Sequence, residues 1–167
     1  MQLVYFHYML ILLSISGCSV LKNLQSNTES NPDNPILYGF NEVIDFNSIQ
    51  QGDIDEATTT ALKDADRILI EVLSVIDAER TFENTLLRID DLYYTVSKVW
   101  SLIDLLSSTH PFQDIRDEAD ENDLRIQEYM IDLSINDNLY HAILAYSKLK
   151  ESQELAGGRK RFLKSEL

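Results

Sequence analysis

The stretch DIDEATTTALKDADRILIEVLSVI, residues 53 to 76, decides the fold of this chain. Asp53 and Glu56 stand three positions apart at its start, which predicts a capping box. Its apolar residues recur every three or four positions, as one face of an α-helix requires. They are Ala57, Ala61, Ala65, Ile68, Val72 and Ile76, widened by Leu62, Leu69 and Leu73. The sequence therefore predicts a long amphipathic helix that begins near Asp53.

A second helix is predicted downstream, with Thr81 as its N-cap. The residues expected on its buried face recur at the same spacing. They are Phe82, Leu86, Ile89, Tyr93, Val96, Trp100 and Ile103, with Leu92, Val99 and Leu106 beside them. Aromatic residues at helical spacing belong more often to a core than to a ligand site, so we expect Tyr93 and Trp100 to be packing residues.

Two more helices are predicted toward the carboxyl end of the chain. Pro111 suits the first turn of the third helix. Asn136 or Asp137 caps the fourth, which is expected to run toward Glu154. The core residues expected in the third helix are Ile115, Ala119, Ile126, Tyr129, Met130 and Leu133.

The predicted fold class is all-α: a bundle of about four antiparallel helices in one domain, residues 35 to 167. The chain contains only 5 Gly and 3 Pro, too few for a turn-rich β architecture. Between Ile36 and Ile49 a short apolar cluster, which includes Tyr38 and Phe40, is interpreted as an extended arm that packs onto the helices. Gly157-Gly158 ends the fourth helix, and residues 159 to 167 open another that is too short to be stable alone.

The charge balance bears on the class of partner. The 28 Asp and Glu outnumber the 14 Lys and Arg, for a formal net charge of −14. Such a field repels phosphate backbones, so we do not expect nucleic-acid binding. An acidic helix surface of this kind is typical of a solvated face.

The first residues of the chain are typical of a targeting signal. An apolar run from Leu3 to Ile15 is followed by small residues, which is typical of a secretory signal. Ile15-Ser16-Gly17-Cys18 resembles the lipobox of bacterial lipoproteins, in which the cysteine is acylated and becomes the new amino terminus. Residues 1 to 17 are thus a predicted signal peptide, with a buried helix or a membrane span as alternatives. Cys18 is the predicted lipidation site, and residues 18 to 34 are a predicted disordered tether.

The predicted signal peptide and lipobox indicate where in the cell the protein is located. A lipidated Cys18 would attach the protein to a membrane of the bacterial cell envelope, facing the periplasm or exposed at the surface. The membrane is therefore the first expected partner.

The segment Thr81-Phe82-Glu83-Asn84-Thr85 resembles a motif in the amino-terminal helices of the thimet oligopeptidase family, with neurolysin, oligopeptidase A and peptidyl-dipeptidase. Shorter pieces agree in order, at residues 46 to 49, 52 to 54, 139 to 140 and 160 to 163. The resemblance covers residues 35 to 167. It implies a truncated front portion of a larger helical zinc peptidase that hydrolyses short peptides, with Thr81 to Thr85 as structural residues.

The zinc motif of that family, H-E-x-x-H, is absent. The only histidines are His7, His110 and His141, and no two lie four residues apart on one helical face. His110 is expected in a solvated loop, and His141 is expected to be partly buried in a helix. We therefore predict no catalytic residue, no metal ligand and no cofactor in this chain, although the full-length family binds zinc.

Two hypotheses follow. In the first, the chain is an inactive fragment of a zinc oligopeptidase, with short peptides or the missing catalytic part as candidate partners. It predicts apolar helix faces exposed to solvent. In the second, it is a stand-alone helical lipoprotein that binds a peptide or protein at the cell surface.

Overall fold

A computed structural model describes residues 34 to 37 and 43 to 167. The described residues form six helices that pack against one another and no strand, so the all-α prediction is confirmed. The helices are α1 (Asp53–Ser74), α2 (Leu87–Thr109), α3 (Gln113–Ser134), α4 (Asp137–Ser147), α5 (Lys150–Glu154) and α6 (Gly157–Ser165). Single 3-10 turns occur at Pro35–Leu37, Phe46–Ser48 and Asp77–Glu79, and a π-helical turn at Phe82–Leu86.

The three long helices form an up-down-up bundle. Near its start, α3 contacts the start of α1, because the Glu118 carboxylate accepts hydrogen bonds from the amides of Gly52 and Asp55. The helices α1 and α3 are therefore parallel, and α2 runs antiparallel between them. The core lies along their facing sides, at Ile54, Ala57, Ala61, Ala65, Ile68, Val72, Ile89, Leu92, Val96, Val99, Ile103, Leu106, Ile115, Ala119, Ile126 and Leu133.

The shorter helices gather at one end of this bundle. Helix α4 packs against α1 and against the turns at Asp77–Glu79 and Phe82–Leu86. Its Tyr146 is fully buried, and Leu163 of α6 is also part of the core. The bundle end where α1 finishes and α2 begins is therefore covered, whereas the opposite end carries the acidic start of α3.

The start of α1 agrees with the sequence, but its predicted capping box does not form. Gly52 is the N-cap, with a φ of 99°, and makes no side-chain cap. The Asp53 carboxylate accepts instead from the Gln50 amide at 2.8 Å, and Glu56 accepts from the Asn34 side chain at 3.1 Å. The Asp53–Glu56 capping box is thus wrong, because both amides that it would use donate to backbone carbonyls instead. The Asp53 amide donates to the Gln50 carbonyl at 3.1 Å, and the Glu56 amide donates to the Gly52 carbonyl at 3.0 Å.

The end of α1 comes earlier than the apolar pattern indicates. The helix stops at Ser74, Val75 is extended, and Ile76 is 63% exposed. Two donors meet at the last turn: the buried Arg80 guanidinium donates to the Val72 carbonyl at 3.0 Å, and the Val75 amide donates to the same carbonyl at 3.4 Å. Ile76 therefore lies outside both the helix and the core.

The other predicted helix boundaries hold in part. Asn136 caps α4 by accepting from the Leu139 amide at 3.0 Å, as predicted. Pro111 is not in the first turn of α3, which begins at Gln113. The fourth helix does not reach Glu154: it ends at Ser147, whose carbonyl accepts from the buried Ser152 hydroxyl at 2.8 Å.

The predicted arm packs onto the helices through two buried residues, Ile36 and Ile49. It is not extended at Pro35–Leu37 or Phe46–Ser48, which are 3-10 turns. Asn34 is fully buried and donates to the Asp53 carbonyl at 2.8 Å, so it belongs to the folded domain and not to the predicted tether. The predicted signal peptide, Cys18, tether residues 18 to 33, Tyr38 and Phe40 lie outside the described residues.

Candidate functional site

The segment Thr81 to Thr85 forms the entry to α2. The Asn84 amide donates to the Thr81 hydroxyl oxygen at 3.1 Å, and the Thr81 amide donates to the Asn84 side-chain oxygen at 2.7 Å. This reciprocal pair is a capping box with Asn in place of Glu or Gln. The predicted N-cap at Thr81 is therefore confirmed.

The helix then opens with a π-helical turn, in which the Leu87 amide donates to the Phe82 carbonyl. Phe82 and Thr85 are buried on the inner side of this turn. Glu83 points outward and forms an ion pair with Arg159 at 3.3 Å. The segment Thr81 to Thr85 thus supplies a cap, an inward pair and an outward acid within one turn.

The same turn contacts the short helices α5 and α6. The Phe82 amide donates to the Glu151 carboxylate of α5 at 3.3 Å. The Arg159 guanidinium of α6 lies 4.3 Å from the centre of the Phe82 ring, within reach of a cation–π contact. A single aromatic residue therefore connects α2, α5 and α6.

A buried phenol stands close to these charges. Tyr146 is 0% exposed, and its hydroxyl has no hydrogen-bond partner among the described residues. Burial, together with the negative charges of Glu151 and Glu83, raises the pKa of Tyr146 to about 12, against the opposing effect of Arg159. The hydroxyl therefore stays protonated at neutral pH.

A groove of about 420 Å³ lies on the outside of the bundle between α2 and α3. It is lined by Ser97, Trp100, Ser101, Asp104, Asp123 and Gln127. The Trp100 indole N–H donates to the Asp123 carboxylate at 2.6 Å, which fixes the ring at the groove. Such a setting, an aromatic ring beside two carboxylates, has the chemistry to hold an organic cation. Trp100, predicted to be a packing residue, thus packs only in part and also lines this groove.

The two histidines within the described residues do not come together. His110 was expected in a solvated loop but is 5% exposed, with Nε2 3.4 Å from the Phe46 carbonyl oxygen. His141 was expected to be partly buried but is exposed on α4. They belong to opposite ends of the bundle, roughly 30 Å apart along the 23-residue α2. His110 is buried because the turn at Phe46–Ser48 covers the end of α2.

Within residues 34 to 37 and 43 to 167, no group of three or more His, Cys, Asp or Glu side chains could hold a metal ion. Among the helices described, none is long and apolar enough to cross a membrane.

The outer side of α3 exposes an apolar stripe. Leu124 and Ile131 are each 60% exposed, and their spacing of seven residues places them on one face of the helix. Ile135, the C-cap residue directly after the helix, is 71% exposed. Apolar side chains scattered singly over a surface are ordinary, but a row on one helix marks a surface suited to contact.

The comparison with known proteins gives no family. No protein-family model matches this chain, and no curated protein matches it. The fold and the geometry above define an all-helical domain with a capped, π-helical entry turn and an acidic groove beside Trp100.

Proposed function

We propose that this chain is the non-catalytic helical part of a thimet oligopeptidase-like zinc peptidase, attached to a bacterial envelope membrane through lipidated Cys18. The observation that carries the proposal is the segment Thr81 to Thr85, together with the order of the shorter matching pieces. Each side chain of that segment makes a hydrogen bond, an ion pair or a ring contact at the entry to α2. Such contacts at all five positions support the resemblance more than a chance sequence match would.

The apolar stripe on α3 supports the same proposal. Leu124, Ile131 and Ile135 would be covered where the domain forms part of a larger helical peptidase. In that arrangement the zinc and the catalytic residues belong to the part that carries H-E-x-x-H. The chain described here supplies a wall of the helical lobe and no chemistry of its own.

The coding DNA that flanks this chain tests the proposal directly. We expect it to encode further family-like helices and an H-E-x-x-H segment, in one frame or another. Flanking DNA that encodes neither would refute the assignment to this family.

The purified chain provides a second test. Incubated with zinc and a quenched fluorescent short peptide, it is expected to show no turnover above the buffer control and no stoichiometric zinc. Peptide hydrolysis that a chelator abolishes would overturn the claim that the chain is non-catalytic.

The anchor has its own test. Cells that express the chain and are fed a radiolabelled fatty acid are expected to label it, and Cys18→Ser is expected to remove the label and release the protein from the membrane fraction. Equal labelling of both would exclude Cys18 as the lipidation site.

The α2/α3 groove favours a second candidate, a stand-alone lipoprotein that binds a basic peptide. Asp104 and Asp123 would face the positive side chain while the Trp100 ring contacts it. Since Trp100 is the only tryptophan of the chain, its fluorescence reports directly on the groove.

A fluorescence titration with tri-arginine, and with tri-glutamate as the reversed charge, tests this candidate. We expect tri-arginine alone to change the emission, and Asp104→Asn to weaken binding several-fold. Asp132→Asn, which removes an exposed charge of α3 outside the groove, is the matched control. No response to tri-arginine, or equal weakening by both variants, would exclude the groove as the binding site.

A further inference from the structure

Helix α6 presents the chain's densest group of positive charges. Within the nine residues Gly157–Ser165, Lys160, Arg161 and Lys164 are exposed. In the part of the chain that the structure describes, none of these three side chains forms an ion pair or a side-chain hydrogen bond. The three cations are therefore available to an outside partner.

The orientation of α6 is fixed by contacts on its other side. Leu163 is buried, and Arg159 is held by the Glu83 carboxylate at 3.3 Å and the Phe82 ring. Just beyond the helix, the Glu166 carboxylate accepts from the Tyr93 hydroxyl at 3.1 Å. At 100° per residue these contacts share one face of the helix, and the three free cations occupy the opposite face.

The nearby acids do not neutralise that outer face. The Glu83 carboxylate is engaged by Arg159, Glu151 accepts from the Phe82 amide, and Glu166 accepts from Tyr93. Each of these acids is used in a contact on the bundle side of α6. The outer face of α6, defined by Lys160, Arg161 and Lys164, thus keeps its positive charge.

Charge is segregated along the whole chain. Residues 148 to 164 contain six of the 14 Lys and Arg and two of the 28 Asp and Glu, a net charge of +4. The rest of the chain therefore has a net charge of −18. The acidic start of α3 lies beside the far end of α2, roughly 20 Å from the Tyr93 contact of α6 by the rise of the helix. At physiological salt, charges that far apart are largely screened from each other, since the screening length is about 8 Å.

We propose that the outer face of α6 binds the headgroups of anionic phospholipids and so orients the domain on its membrane. A flat anionic surface can contact this face alone. A long polyanion such as nucleic acid would also be repelled by the rest of the chain, which has a net charge of −18. The setting rests on the proposed lipid anchor, but the charge pattern of α6 does not. The interaction adds to an acyl anchor as a basic patch does in proteins held by two signals.

Vesicle sedimentation tests the proposal on the full chain carrying Cys18→Ala, so that no acyl group contributes. The probes are vesicles of phosphatidylcholine alone and vesicles of phosphatidylcholine and phosphatidylglycerol in equal amounts. We expect tighter binding to the anionic vesicles, and a loss of that preference by roughly a hundredfold in Lys160→Gln/Arg161→Gln/Lys164→Gln. High salt is expected to have the same effect.

A control removes two exposed cations that lie outside residues 148 to 164, in Lys63→Gln/Arg67→Gln, and is expected to keep most of the preference. The matched double variant of α6 is Lys160→Gln/Arg161→Gln. Equal binding of the unsubstituted chain to both vesicle types would overturn the proposal, as would equal losses in the two double variants. Salt-sensitive self-association that Lys160→Gln/Arg161→Gln/Lys164→Gln abolishes, without vesicle preference, would instead identify a second copy as the partner of α6. Because Cys18 is absent throughout, a failure here is distinguishable from a failure of the lipid anchor.

Discussion

The Glu118 side chain of α3 accepts hydrogen bonds from the start of α1, and its removal should destabilise the domain measurably. Its carboxylate accepts from the Gly52 amide at 2.9 and 3.1 Å and from the Asp55 amide at 2.9 Å. These amides belong to the first turn, where a helix has no acceptors of its own. Glu118 thus acts as an N-cap supplied 66 residues away from Gly52.

The expected magnitude follows from these contacts. Loss of an N-cap side chain costs about 0.5 to 2 kcal/mol, and a negative charge at a helix N-terminus adds about 0.3 to 1 kcal/mol at an exposed site. The Glu118 contacts are partly open to water, so we take the lower half of the sum of these two ranges. We therefore expect Glu118→Ala to lower the free energy of unfolding by about 1 to 2 kcal/mol. For a domain of this size that corresponds to a fall of roughly 3 to 6 °C in Tm. Glu118→Gln keeps an oxygen acceptor and should lose about half as much.

Urea and thermal unfolding followed by circular dichroism measure the effect. Glu121→Ala is the control, because it removes the same charge and side chain from an exposed site of the same helix. Amide exchange gives an independent measure, since protection of the Gly52 and Asp55 amides should disappear in Glu118→Ala. If Glu118→Ala were no less stable than Glu121→Ala, and both amides kept their protection, the reasoning would be refuted.

Three further predictions concern single residues. Gly52→Ala should destabilise the domain by about 1 to 2 kcal/mol in urea unfolding, because a φ of 99° strains any side chain, whereas Gly158→Ala should be neutral or stabilising; equal effects would contradict this. Thr81→Ala should cost about 1 to 2 kcal/mol and Thr81→Ser much less, since serine can also accept from Asn84; a costly serine would argue against the cap. Tyr146→Phe should leave stability unchanged or raised at neutral pH, because its hydroxyl has no partner among the described residues. Since the pKa of Tyr146 is raised to about 12, the unfolded chain loses that proton first, so stability should fall as pH rises from about 10, and less in Tyr146→Phe; identical pH profiles would contradict this.

The sequence by itself determined the helices. The spacing of apolar residues depends only on the geometry of the helix, so it marked the buried faces of α1 and α2 before any tertiary contact was known. Caps that act within four residues, at Thr81 and Asn136, were also readable. The resemblance to thimet oligopeptidases comes from the same local segments, and it stays a prediction.

Tertiary structure decided where helices stop and which charged residues act. Arg80 donates to the Val72 carbonyl at the end of α1, Glu118 accepts from the Gly52 and Asp55 amides at its start, and Asn34 is buried against the same helix, none of which a local pattern signals. The Trp100 groove and the outward face of α6 likewise depend on which helices meet. The physical reason is that helix periodicity is a property of neighbouring residues, whereas caps and ion pairs supplied from a distance exist only after the chain has brought those residues together.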